Sequence, residues 1–186
     1  MSRSNPQWLS ALRDRRGVTA VEFAIILPVM ITLLLGAIQI AGTVQTRLDD
    51  ESAAWEVADL VSRCRTVAAS DVTDAFTAAS LIIGATKTRP ANFAYYAASV
   101  SFNATTGAPA IDWRSDAGTP ATTNATILAK ATGQRSAGES VIVAGIDYTY
   151  QPTGASGPSL VMSDVAVMSP RLVAKIPLGT ACDWSL

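Results

Sequence analysis

The sequence predicts an α+β fold, in which a long N-terminal transmembrane helix continues into a domain with a second helix and a small antiparallel sheet. Three observations predict it. The stretch from Phe23 to Ile40 has no charged residue. Apolar residues then recur at helical spacing as far as Ala68, and from about Phe93 the period changes to two. At 186 residues the chain has room for one ordinary domain and a short appendage.

The apolar helix comes first. From Phe23 to Thr46 it would rise about 36 Å at about 1.5 Å per residue, enough to cross a hydrocarbon layer of about 30 Å. Pro28 and Gly36 interrupt it, which spanning helices tolerate better than soluble ones. Arg3, Arg13, Arg15 and Arg16 precede the span, while Asp49, Asp50 and Glu51 follow Arg47 after it. The excess of arginine before the span places that side in the cytoplasm. The expected division is a basic cytoplasmic leader at 1–17, a transmembrane helix at 18–46 and an extracytoplasmic domain at 47–186. A cleaved secretory signal fits less well, because the apolar run is too long and Leu35-Gly36-Ala37 is a poor cleavage site. Arg15-Arg16 is followed by Gly17-Val18-Thr19 rather than by the hydrophobic residues of a twin-arginine signal.

Beyond the span, Val57, Leu60, Val61, Cys64, Val67 and Ala68 keep the spacing of an amphipathic helix. No Gly or Pro lies between Thr43 and Ala69, so one helix is expected to continue from the span into the domain. Ser70 suits the N-cap of a second helix through Val72, Phe76, Ala79 and Ile83, with Gly84 as its stop. Tyr96, Ala98, Val100 and Phe102 alternate with smaller neighbours as in a strand. A turn at Thr105–Pro109 leads to a short strand through Ile111 and Trp113. Residues 115–138, rich in Ala, Thr, Gly and Ser, read as a loop with one helical turn near Ile127 and Leu128. The strongest strand signal is Ser140–Gln151, with Ile146, Tyr148 and Tyr150 on one face. After a turn at 152–159 come a strand at Leu160–Met168 and a short final strand around Leu172–Ile176. Four or five strands result.

Composition narrows the function. The region from Arg47 onward holds 10 basic and 13 acidic residues, a net charge of −3. A domain of that sign lacks the footprint of a nucleic-acid binder. Histidine is absent, which removes the commonest general base and the commonest zinc ligand. Gly154-Ala155-Ser156-Gly157 precedes no helical pattern and reads as a turn, not a phosphate loop. No catalytic, cofactor-binding or metal-ligating constellation emerges, and the expectation is a protein that is not an enzyme. Tyr148, Tyr150, Trp113 and Trp184 read as core or cross-strand aromatics rather than a stacking surface.

One residue of the span is out of place. Glu22 sits at its start, where a carboxylate near hydrocarbon costs free energy unless paired, neutralised or within reach of the interface. On its own it also suits the first turn of a helix, whose dipole favours negative charge. The whole stretch Arg15-Arg16-Gly17-Val18-Thr19-Ala20-Val21-Glu22-Phe23, followed by the apolar helix, resembles the class III signal of type IV pilins and pseudopilins. That resemblance implies a prepilin peptidase cutting on the cytoplasmic side between Gly17 and Val18. Glu22 then becomes the fifth residue of the mature chain.

Val18 to Pro28 is similar to the opening of TadE-like proteins, minor pseudopilins of the tight-adherence (Tad/Flp) pilus system. The strand Val141–Pro152, Ser169-Pro170-Arg171 and the Trp113 strand end look like the distal part of that family. Two positions depart from it: Glu22-Phe23 stands where major pilins of the system usually have Glu-Tyr, and Ser169-Pro170-Arg171 where the family often has Arg-Pro-Arg. The resemblance implies a pilin-like domain in the bacterial inner membrane, with a periplasmic C-terminal part and entry into the pilus as a further expectation. Its partners would be prepilin peptidase, other Tad pilins and pseudopilins, and membrane lipid. Glu22 and Phe23 would serve subunit pairing, with the Glu22 carboxylate meeting a neighbour's Val18 amine. The alternative is an unprocessed single-pass protein with a periplasmic binding domain.

Cys64 and Cys182 are the two cysteines. In an oxidising compartment they are expected to pair, closing a loop worth about 4–5 kcal/mol by chain entropy. The other reading is that Cys64 simply packs on the apolar helix face.

Overall fold

The computed structural model describes residues 16–83, 93–150 and 159–182. Its elements are α1 (Arg16–Ser62), α2 (Ala69–Ile83), β1 (Phe93–Phe102), β2 (Pro109–Ala117), α3 (Asn124–Ala131), β3 (Ser140–Tyr150) and β4 (Leu160–Met168). The architecture is α+β, with a long N-terminal apolar helix, a second helix and a four-stranded antiparallel sheet. Contacts divide the chain into two units, Met1–Gly42 and Thr43–Leu186.

In the first unit, α1 is apolar on every side. An 18-residue window reaches a mean hydropathy of 2.4 with none of it buried by protein, so the helix is long and apolar enough to cross a membrane. Pro28 lies inside the helix, and the Thr32 hydroxyl donates to the Pro28 carbonyl at 2.8 Å. Such a bond would satisfy the threonine's donor in a helix that passes through hydrocarbon.

In the second unit the same helix becomes two-faced. Ala53, Ala54, Val57, Ala58 and Val61 are buried at the 3.6-residue period. They share a core with Phe76 and Ala79 of α2 and with Ala97, Ile142, Ala144, Ile146 and Tyr148 of the sheet. The sheet order is β2-β1-β3-β4, antiparallel throughout. Its other face carries a second core, where Tyr96, Ala98, Val100, Phe102, Val141 and Val143 meet Ile127 and Ala131 of α3. Both faces of β1 and β3 are therefore covered. This explains why their sequences run nearly continuously apolar.

The structure departs from the sequence reading at four places. α1 stops at Ser62 instead of running to Ala68, because the chain turns there and the Cys64 amide donates to Val61 O at 3.1 Å. Ser70 lies inside α2. The cap is made instead by Asp71, whose carboxylate accepts the Ala68 amide at 2.9 Å as the third residue of a capping box does. The segment 115–138 holds the end of β2 and the eight-residue α3, whose N-cap Thr123 accepts from the Thr126 amide. No strand forms over Leu172–Ile176; those residues lie against neighbours singly, and the sheet has four strands. The leader arginines Arg3, Arg13 and Arg15, the expected stop Gly84, the turn 152–158 and Trp184 lie outside the described residues.

β2 carries one bulge. Ser99 pairs with Trp113 and Val100 with Ile111, so Asp112 is the extra residue. Its carboxylate accepts from the Ser101 hydroxyl at 2.8 Å and pairs with Lys175.

Candidate processing and assembly site

The residues singled out at the N-terminal end of α1 stand clear of protein. A Cβ built on Gly17 would meet nothing within 4 Å. Val18, Glu22 and Phe23 are exposed on the first turns of the helix. Val18 and Glu22 are four residues apart, so they share one face of α1. Glu22 stands six residues into the helix, past its first turn, which carries no acidic residue, so capping of the helix start does not account for it. Proline aside, glycine is also the cheapest residue to unwind from a helix, at about 1 kcal/mol relative to alanine. Extended backbone at Gly17 is thus reached at little cost.

The second grouping lies where α1 ends. Cys64 and Cys182 are joined by a disulfide, with Cα atoms 5.2 Å apart. Around the bridge the C-terminal segment is laced to the α1–α2 junction. The Val67 amide donates to Pro177 O at 3.2 Å and the Gly179 amide to Val67 O at 2.9 Å. The Cys182 amide donates to Asp71 Oδ2 at 2.6 Å. Asp71 thus caps α2 and holds the tail together. Farther back, the Arg171 amide donates to Ser62 O at 2.9 Å, satisfying a carbonyl of the last turn of α1. The Arg171 guanidinium pairs with Asp59, which also pairs with Arg63. The Ser169-Pro170-Arg171 motif therefore acts on α1, more than a hundred residues away in sequence.

Beneath the sheet lies a polar cluster that sequence reasoning missed. Asp147 of β3, buried to 6% exposure, accepts from the Thr122 amide at 3.2 Å, from the Thr122 hydroxyl at 3.3 Å and from Ser163. Arg114 stacks over the Tyr96 ring at 5.3 Å and donates to Asn124 Oδ1 and to Thr122 O. The Tyr96 hydroxyl is enclosed and makes no hydrogen bond of normal geometry among the described residues. Burial pushes its pKa up to about 12, offset only in part by the approach of Thr122 and Arg114. The cluster pins the 118–123 connection to the sheet. Its members are scattered through Thr- and Ser-rich sequence with no spacing that marks them.

Trp113 and Tyr148 are buried. Trp113 Nε1 donates to Ile176 O at 2.7 Å, so both aromatics serve the core. Among the described residues no three His, Cys, Asp or Glu side chains gather as a metal site would require. A cavity of about 310 Å³ opens beside the disulfide, lined by Leu60, Val67, Asp74 and Cys182 among others.

Residues 17–59 match the family model of the TadE-like proteins. The matched stretch holds Gly17, Val18, Glu22 and Phe23 and runs to Asp59. No curated protein and no solved structure matches the chain.

Proposed function

From a TadE-like segment that begins at Gly17 and runs the length of an apolar helix, we propose that the chain is a minor pseudopilin supporting assembly of a Tad-type pilus. Prepilin peptidase removes the leader by cutting between Gly17 and Val18. The mature chain stays in the inner membrane, its N-terminus on the cytoplasmic side and its larger unit in the periplasm, until it associates with other Tad pilus subunits. Its role is structural, without catalysis of its own; the absence of histidine from the sequence supports this.

The observation that carries the reading is the placement of Glu22 on the helix face of Val18, one turn from an accessible glycine. Cutting at Gly17 leaves a positive amine on Val18. In a low-dielectric layer this amine and the Glu22 carboxylate of a neighbouring copy attract strongly, and an unpaired carboxylate is correspondingly costly. Pairing therefore fixes the register in which two helices pack.

Mass spectrometry of the protein from cells with an active prepilin peptidase is expected to give a mature N-terminus at Val18. Gly17→Leu should retain the leader, whereas Glu22→Ala should be cut normally but assemble poorly. Native protein that begins at Met1 or Ser2 would overturn processing and leave a tethered binding domain. Normal piliation by Glu22→Ala would overturn the pairing role.

A further inference from the structure

We propose that one end of the larger unit, formed by Val44, Leu48, Leu81, Leu160 and Val161, is seated in the lipid headgroup layer. The inference rests on reading the apolar helix as a membrane span and goes beyond it, since it concerns residues of α2 and β4 remote from the span in sequence.

The argument begins with exposure. Among the described residues of Thr43–Leu186, eight large hydrophobic side chains are exposed. Five are at least half exposed: Val44 at 54%, Leu48 at 54%, Leu81 at 69%, Leu160 at 50% and Val161 at 62%. Single exposed apolar residues are ordinary; a group of them gathered in one place marks a contact.

Two anchor points fix where β4 runs along α1. At one end the Ser62 hydroxyl meets Met168 Sδ at 3.4 Å. At the other, Tyr148, the register partner of Met162, lies within electrostatic reach of Asp50. The step from Met168 to Met162 rises about 20 Å, and that from Ser62 to Asp50 about 18 Å. β4 therefore runs nearly alongside α1, and Leu160 and Val161 come level with about residues 46–48 of the helix. Val44 and Leu48 occupy that level on the helix side turned away from the sheet, since buried Thr46 and Asp50 mark the side turned toward it.

α2 leads to the same end. It starts beside Ser62, where Asp71 receives the Cys182 amide. By Phe76 it has reached Tyr95, whose ring it stacks on at 4.0 Å, in register with Ile146 and Asp164. Leu81 lies five residues farther in the same direction, about 8 Å.

Three elements thus bring their most exposed apolar residues to one level, on opposite sides of α1. A partner strand or helix would touch one side; a planar surface touches all of them. That level is also where the charge-free run ends, since Thr46 precedes Arg47 in the sequence. A run of about 36 Å overfills a hydrocarbon layer of about 30 Å. The boundary therefore falls within a turn or two of Val44. Arg47 and Glu51 at this end keep their charges in the headgroup zone, while the aliphatic side chains reach the acyl boundary.

The test uses nitroxide labels on single introduced cysteines, with the native pair left bonded, in the full chain reconstituted into phosphatidylcholine nanodiscs. Labels at Leu81→Cys, Leu160→Cys and Val161→Cys should collide more with oxygen than with an aqueous nickel chelate, as should a label at Leu34→Cys in the span. A label at Leu172→Cys, beside Arg171 at the Ser62 end, should show the opposite order. If position 34 is lipidic while 81, 160 and 161 behave like 172, the proposal fails and the span reading stands. Labels at those three sites shielded from both reagents would mean a protein surface covers them, which also overturns it. An aqueous label at position 34 would overturn the span reading and the proposal together.

Discussion

At Gly145 the backbone of β3 passes against the ring of Tyr96, and a Cβ there would lie 2.3 Å from the ring's Cζ. The glycine is needed for close approach, not for its backbone conformation. It leaves room for a tyrosine that carries Arg114 on its face and sits above the Asp147 cluster. Gly145→Ala is therefore expected to destabilise the fold by about 1–3 kcal/mol through overpacking. Thermal unfolding of the purified chain would check it, and an unchanged midpoint would show that the ring moves freely. Nothing in the sequence marks this contact, because it joins positions 49 residues apart that pair only once β1 and β3 are in register. Glu22 is the opposite case. A carboxylate at the mouth of an apolar run is conspicuous in one dimension, since the cost of placing charge in hydrocarbon does not depend on the rest of the fold.

At the scale of elements, α1 and β4 meet through a charge. Asp164 points toward α1, where burial raises its pKa, Arg47 works against that rise and Glu51 adds to it. A carboxyl with a folded pKa above its unfolded value favours the folded state below the unfolded value of 3.8 and loses that contribution as pH rises through the folded pKa. Asp164→Asn should accordingly stabilise the protein near neutral pH, with the gain shrinking as pH falls through the raised folded pKa and gone below 3.8. Denaturation at several pH values would test this; a gain that persisted undiminished in acid would contradict it. The sheet edges differ as well. β2 is interrupted by Pro109, a bulge and the charges of Asp112, Arg114 and Asp116, all of which discourage further pairing. β4 carries Asp164 alone among apolar and small residues.

For the molecule as a whole, the C-terminal segment is what closes the larger unit. It contributes Arg171 to the end of α1, Ile176 O to Trp113, and Cys182 to Cys64. The disulfide spans a sequence separation of 118 residues. Chain entropy assigns such a loop about 5 kcal/mol, and removing native bridges commonly costs about 2–5 kcal/mol. Replacing both cysteines by serine should lower the unfolding free energy by about that amount. Denaturant titration in detergent would measure it, with a reductant on the native chain as control. Equal stability with and without reductant would mean that the lacing alone suffices.

The long apolar helix, its two-faced continuation, the second helix and the strands at Phe93, Ser140 and Leu160 were all legible in the sequence. Each depends on local periodicity or on charge-free length, which the chain carries residue by residue. The N-cap at Ser70 and the strand at Leu172–Ile176 misled for a common reason. A serine before a helical pattern and a short apolar alternation are both local signals, and both were overruled by contacts from afar. Asp71 was drawn into capping and tail binding together, and residues 172–176 meet edge strand β2 through side chains instead of a ladder, Lys175 pairing with Asp112 and Ile176 O accepting from Trp113. Sequence by itself determined that this protein has an apolar helix with a carboxylate at its head, and an α+β unit after it. Only the tertiary structure decided that residues from α1, α2 and β4 share one exposed apolar level and that the tail fastens the end of α1, because these are distances through space between segments whose separation along the chain carries no record of them.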